Sequence, residues 1–308
     1  MNNDTQTIIG VDVGSGSVRA GIFNLQGKLL AHATREITLF RSAGNQVEQS
    51  SRQIWQAVCE CIKTAVAHSG MPPESVAGMG FDATCSLVAV DAAGRPVSVS
   101  ETGDDQWNVI VWMDHRAIAE ADAINRGGYE VLDFVGGAIS PEMEIPKIRW
   151  LKTHLPAQYA RMALFLDLAD FLSWRATGST ARSACTTVCK WTYLHHEKRW
   201  SQPFFKALDL GELIDDNRIG DVIVEAGTPV TWSAATPDLR VYAFAPDNAA
   251  LLDGLGVWRD VAATRVQPYR RMRVWDAAAG KKLYALAGEH KDAVTSVRFT
   301  PQGTLVTA

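Results

Sequence analysis

The stretch GVDVGSGSVRAGIF, residues 10–23, places an aspartate, two glycines and two serines within six positions, with an arginine two further on. Backbone N–H groups and small hydroxyls in such a turn can approach an anion closely. Gly14, Ser15, Gly16 and Ser17 are therefore a candidate phosphate cradle. Asp12, at the end of an apolar run, has the position to hold Mg2+ through water, and Arg19 to neutralise a phosphoryl oxygen. Taken alone, the same residues read more simply as a plain β-turn.

The elements around the turn decide which kind of site it is. A dinucleotide fingerprint needs a third glycine and a following helix, but Arg19 occupies the third position and VRAGIFNLQGKLLAHA alternates like strands. The pattern is strand, tight turn, strand, turn, strand. Next, SSRQIWQAVCECIKTAVAHSG sets Ile54, Val58, Ile62 and Val66 at helical spacing, with Ser50 or Ser51 as the N-cap. VAGMGFDATCSLVAVDAAGRPV then reads as a strand, a polar break at residues 82–86, another strand and a turn at residues 91–94. A three-strand meander, a helix and a further strand open the ribonuclease-H-like, actin-like α/β fold, a mixed sheet with flanking helices. That fold sets a phosphate hairpin at the mouth of a cleft between two lobes.

Bulk properties allow a real core. The 308 residues are 47% hydrophobic and 21% charged with net charge −4, enough apolar content for a sizeable core and no basic excess to draw nucleic acid or an anionic membrane. MNNDTQT lacks the basic and apolar regions of a signal peptide, and no window approaches a membrane helix, so a cytoplasmic location is expected. Cys59, Cys61, Cys85, Cys185 and Cys189 lack zinc-type pairing and fit reduced thiols.

The strings GVDVGSGSVRAGIF, GMGFDATCSLVAVD, VIVWMDHRA, VGGAISPEMEIPKIRWLK, FLDLADFLSWRATG and RSACTTVCKWTY resemble the FGGY carbohydrate kinases of the pentulose, D-ribulokinase-like type. They run in family order over about residues 7–230. The resemblance implies ATP and Mg2+ as cofactors, with Asp12 and residues 14–17 facing the phosphates and metal and Arg19 nearby. It implies a sugar pocket lined by Asp82, Thr84, Cys85 and Ser86, by Trp112, Asp114 and His115, and by Lys190. The indole of Trp112 would pack on a sugar carbon face, and Asp114 would accept hydroxyl hydrogen bonds. The implied reaction moves the ATP γ-phosphoryl group to a hydroxyl of a ribulose-like ketopentose or polyol.

Beyond residue 230 the resemblance ends. The family's base is an aspartate in an Asp-Ala-His-type string, which the sequence lacks; Asp238 and Asp247 are the nearest aspartates in order. Residues 239–277 resemble an internal piece of the ubiquinone-pathway flavin hydroxylases, without the glycine-rich FAD loop such an enzyme needs. Residues 273–308 resemble one WD-repeat blade, whereas a propeller closes only with several. One kinase N-terminal domain over residues 1–230 is therefore expected. Residues 231–308 form an atypical tail, not an independent domain, whose apolar groups favour self-association. The chain is expected to turn over weakly or not at all; the alternative is a non-catalytic sugar- or nucleotide-binding lobe.

Overall fold

Alternation in residues 8–36 produces three antiparallel strands, β1 (Thr7–Val13), β2 (Ser17–Asn24) and β3 (Leu29–Glu36). The structure, a computed structural model, describes residues 6–42 and 44–220. Beyond them it describes only the backbone of short strands at 223–224, 271–276, 281–287, 297–299 and 305–307. Gly14 N donates to Ser17 O at 3.0 Å and closes the first turn. In the second, Asn24 Oδ1 accepts from Gln26 N and Lys28 N, and Gly27 takes the left-handed position at φ 77°.

After β4 (Glu48–Gln49) comes α1 (Ser51–Ser69). Ser50 is its N-cap, accepting from Gln53 N at 3.3 Å, and Gly70 ends it at φ 69°. The helix buries Ile54, Ala57, Val58, Cys61 and Ala65, whereas Ile62 and Val66 lie at the margin. A stripe stepping by four residues drifts about 40° per step around a helix of 3.6 residues per turn, so the core-facing line alternates steps of three and four. It packs on Ile9, Val11, Val13, Val18, Ala20 and Ile22 of the meander. β5 (Val76–Ala83) then joins β1 in parallel, giving the strand order β3-β2-β1-β5.

A second, antiparallel sheet holds β4, β6 (Leu87–Val90), β7 (Val109–Ile110) and β8 (Leu164–Asp167) in the order β4-β7-β6-β8. The helices α2 (Ile118–Asn125), α3 (Glu144–His154) and α4 (Pro156–Tyr159) pack against it around a second core. α5 (Leu168–Thr177), capped by Asp167, instead sends Leu168, Phe171 and Leu172 into the first core. β9 (Arg182–Ser183) leads into α6 (Ala184–Trp191), whose Trp191 is fully buried. α7 (Gln202–Ala207), α8 (Glu212–Asp215) and β10 (Ile223–Val224), parallel to β9, complete this part of the chain.

The chain divides into two compact units, Met1–Thr231 and Trp232–Ala308. In the second, β11 (Arg271–Asp276) pairs antiparallel with β12 (Lys281–Ala287), and β13 (Val297–Phe299) with β14 (Leu305–Thr307), as two separate ladders. The flavin-hydroxylase-like stretch, apart from β11, lies outside the described residues, as do Asp238, Asp247 and much of the blade-like stretch. Among the described residues no helix is long and apolar enough to cross a membrane.

Candidate functional site

Strand register sets Arg19, Asp12 and Asp82 in one row across β2, β1 and β5, since Asp12 lies opposite both of the others. Residues opposite each other in a ladder share a sheet face. Asp12 Oδ2 accepts from Arg19 Nη2 at 2.9 Å, and both side chains are about half exposed, at 49% and 56%. Such a pair contributes little to stability in water. Its groups are open to a ligand instead. Asp82 belongs to the exposed end of β5, not to the polar break expected at residues 82–86, which begins at Thr84.

Neither Gly14 nor Gly16 has a positive φ. Their lack of a side chain matters sterically: a Cβ on Gly14 would press on Arg19 Nη2 at 3.3 Å, while one on Gly16 would enter open space. An unobstructed backbone beside a half-exposed aspartate fits a metal-bound polyphosphate. Among the described residues no three His, Cys, Asp or Glu side chains gather as a metal site. A lone carboxylate beside open backbone suits Mg2+, which usually keeps water and takes substrate phosphate oxygens.

Trp112 ties the hairpin to the rest of the site. Its Nε1 donates to Ser15 Oγ at 3.0 Å, and its backbone N donates to Ser86 Oγ at 3.1 Å. Gln49 Nε2 donates to Ser15 O at 2.7 Å. Thr84 N donates to Val13 O at 3.0 Å, and its hydroxyl lies 3.2 Å from that of Ser86. The turn 14–17, the break 84–86 and the loop at 112–116 therefore adjoin.

Asp114 is fully buried and its oxygens are already taken. Oδ2 accepts from Val47 N at 2.6 Å and Arg116 Nη2 at 2.8 Å; Oδ1 accepts from Arg116 N and Nε, both at 2.9 Å. Arg116 also reaches Glu48 Oε1 at 2.8 Å and stacks its guanidinium 5.0 Å over Trp150. Burial pushes the Glu48 carboxyl up, against the opposing pull of Arg116. The geometry makes Asp114 a brace for its loop, because four donors leave its carboxylate no hydroxyl to accept. His115, by contrast, is partly exposed, with Nε2 3.1 Å from Glu142 Oε1.

Lys190 stands half-buried on α6, near Cys85 of the break. Burial, together with the negative charge of Asp167, pushes the Cys85 thiol up to about 12, although Lys190 pulls it back. All five cysteines are free thiols. Glu48, Gln49, Glu142, Glu144, Lys147, Asp167 and Arg182 complete the polar surroundings, and sequence reasoning missed all of them. EMEIPK held the one usable signal, a glutamate and a lysine three apart on a helix that is otherwise apolar there. A groove of about 790 Å³ elsewhere, lined by Arg52, Asp91, Arg95, Asp104, Asp105 and Arg161, contains none of the expected site residues.

A parallel strand added to a glycine-turn meander, beside a polar break, defines the ribonuclease-H-like lobe found in sugar kinases. A xylulose kinase from Brucella ovis superposes with a TM-score of 0.60 at 21% identity, over 71% of this chain and 43% of that one. Residues 7–214 match the N-terminal domain of the FGGY family of carbohydrate kinases, and the chain belongs to that family. It is 42% identical over 252 residues to the human FGGY carbohydrate kinase domain-containing protein, covering 81% of this chain and 44% of the relative. It is 44% identical over 227 residues to a D-ribulokinase of Saccharomyces cerevisiae, covering 70% of this chain and 32% of the relative. The chain thus spans less than half the length of these relatives.

Proposed function

We propose that Met1–Thr231 is the sugar- and phosphate-binding lobe of an ATP-dependent carbohydrate kinase whose acceptor is a ribulose-like ketopentose or a related polyol. The observation that carries this reading is the Trp112 bridge from Ser15 of the hairpin to Ser86 of the break. Phosphoryl transfer is mainly positioning and charge stabilisation, and this bridge holds a phosphate cradle and a polar pocket at a fixed separation. When bound, Mg2+·ATP supplies the transferable phosphoryl group and the metal charge that offsets it. Asp12 would hold the metal's water, the amides of residues 14–17 the phosphate oxygens, and Arg19 would swing from Asp12 to the same oxygens. Asp82, Thr84, Cys85, Ser86, Trp112, His115 and Lys190 would line the sugar, while Asp114 fixes the Trp112–His115 loop from behind. The second reading is a lobe that binds sugar or nucleotide without turnover.

Binding of D-ribulose and of ribitol by calorimetry, with ADP release from Mg2+·ATP measured with and without each, separates the readings in the wild type and Asp12→Ala. The expected result is sugar binding in both proteins with no sugar-stimulated ADP release. Stimulated release that disappears in Asp12→Ala would decide for a complete kinase. Failure to bind either D-ribulose or ribitol would sink both readings.

A further inference from the structure

Behind the expected sugar residues lies a set of buried charges that the kinase reading leaves unused. Glu144, the first residue of α3, and Lys147, one turn on, are both wholly buried. Lys147 Nζ stands 3.6 Å from Glu144 Oε2, beyond hydrogen-bond range, and its donation to Val111 O is long at 3.4 Å. Among the described residues neither Glu144 oxygen has a hydrogen-bond partner, and neither does Asp167 Oδ2. Arg182, fully buried, spends Nε on Asp170 Oδ2 at 3.0 Å and Nη1 on Ile219 O at 2.8 Å, leaving Nη2 unmatched. Lys190 is half-buried and makes no ion pair among the described residues.

These groups act on one another. Burial pushes Glu144 up to about 7, against the pull of Lys147 on its own helix, Lys190 of α6 and Arg182 of β9. Burial and the neighbouring Glu144 and Asp170 push Asp167 well above the usual carboxylate range. Lys147 is driven down by burial, with Glu144, Asp114 and Asp167 opposing and Lys190 adding to the fall. Glu144 has only the 3.6 Å ion pair with Lys147, and Asp167, which caps α5 through Oδ1, leaves Oδ2 without a donor; buried carboxyl oxygens that lack hydrogen bonds weaken a fold. Perturbed carboxyls close to a polar site, here linked to it by Lys147 on Val111 O, are a common functional signature.

We propose that buried Glu144, backed by Asp167, acts together with Lys190 to set the charge of the sugar accepted: neutral ketoses and polyols bind, and the same carbon chain bearing a carboxylate is turned away. The inference rests on the kinase-lobe reading, in which Lys190 faces the sugar. Lys190 alone would attract a sugar acid. With Glu144 acting together with it, an incoming carboxylate meets a like charge, and it binds only as Glu144 takes up a proton. Glu144 is neutral below its raised value and charged above it. Sugar-acid binding therefore weakens as pH rises through neutrality, whereas neutral-sugar binding does not.

The test compares calorimetric affinities of the intact chain for D-ribulose and ribitol with that for D-ribonate, at about one unit below and one unit above neutrality. The proteins are the wild type, Glu144→Gln, Glu144→Asp and Lys190→Met. The affinity ratio within each protein is the readout, since a partly unfolded variant lowers both affinities by the same fraction. Wild type and Glu144→Asp are expected to prefer the neutral sugars by about tenfold or more, the weight of one unit of proton linkage. The preference should grow with pH. Glu144→Gln should lose most of the preference and its pH dependence, and Lys190→Met should bind both ligands poorly. D-ribulose bound by Glu144→Gln with an unchanged ratio would overturn the inference and leave the kinase-lobe reading standing. Binding of none of these ligands by the wild type would end that reading, and this inference with it.

Discussion

Asp114 shows how a residue's type can suggest one role and its surroundings assign another. In WMDHR it looks like a carboxylate ready for hydroxyls, but Val47 N and three nitrogens of Arg116 occupy it. Arg116 is the keystone, since it also neutralises Glu48, with both side chains almost wholly buried. Removing one partner of a buried ion pair costs about 3–5 kcal/mol because the other charge stays behind. Arg116→Met should lose stability on that scale in urea unfolding at neutral pH. Burial already raises Glu48 while Arg116 lowers it, so the variant lets Glu48 rise further. A raised carboxyl is penalised where it must ionise and relieved where it is protonated. The loss should therefore shrink as pH falls toward the ordinary carboxylate range. A loss under about 1 kcal/mol at neutral pH, the size of an exposed pair, would mean that the cluster is braced by something other than Arg116. None of this was visible in the sequence, because Glu48 and Val47 lie 68 and 67 positions from their partners.

Elements, by contrast, were largely written in local pattern. Period-two alternation gave the meander, and a serine before a helical run gave α1 with its cap at Ser50. The Asp91–Gly94 turn was legible too, though not the reason for its glycine. Gly94 has φ 74°, and a Cβ there would meet the Trp174 ring of α5 at 2.7 Å. The left-handed backbone costs a side-chain-bearing residue about 1–2 kcal/mol, and overpacking adds about 1–3 kcal/mol. Gly94→Ala should therefore lose roughly 2–5 kcal/mol in thermal or urea unfolding. Gly16→Ala, with open space and no positive φ, should change stability by less than about 0.5 kcal/mol, while its methyl intrudes where a phosphate would approach. Equal losses in the two variants would contradict this division between a structural and a functional glycine. What local pattern did not convey was the grouping of Glu144, Asp167 and Arg182. They come from α3, β8 and β9, which tertiary packing alone brings together.

At the scale of the whole molecule, the question is whether the kinase-derived unit depends on residues 232–308. Both hydrophobic clusters among the described residues draw their members from residues 9 to 219. The hairpin, the break, the Trp112 loop and Lys190 all lie in the same unit, Met1–Thr231. Each of the two sheets that carry them is complete within that unit, and even the small β9–β10 ladder closes by residue 224. The second unit shows two-stranded ladders in its described residues, and an isolated two-stranded ladder is marginal in water. The unit Met1–Thr231 is therefore expected to fold without residues 232–308. A chain ending at Thr231 should unfold in one cooperative transition. Its Tm should lie within about 4 °C of the full chain's, a shift that corresponds to roughly 1 kcal/mol for a domain of this size, with D-ribulose affinity unchanged. A larger fall in Tm, or loss of sugar binding on truncation, would show that the lobe needs the tail to cover apolar surface or complete its pocket. The family resemblance would then describe where the sequence came from better than how this chain holds itself together.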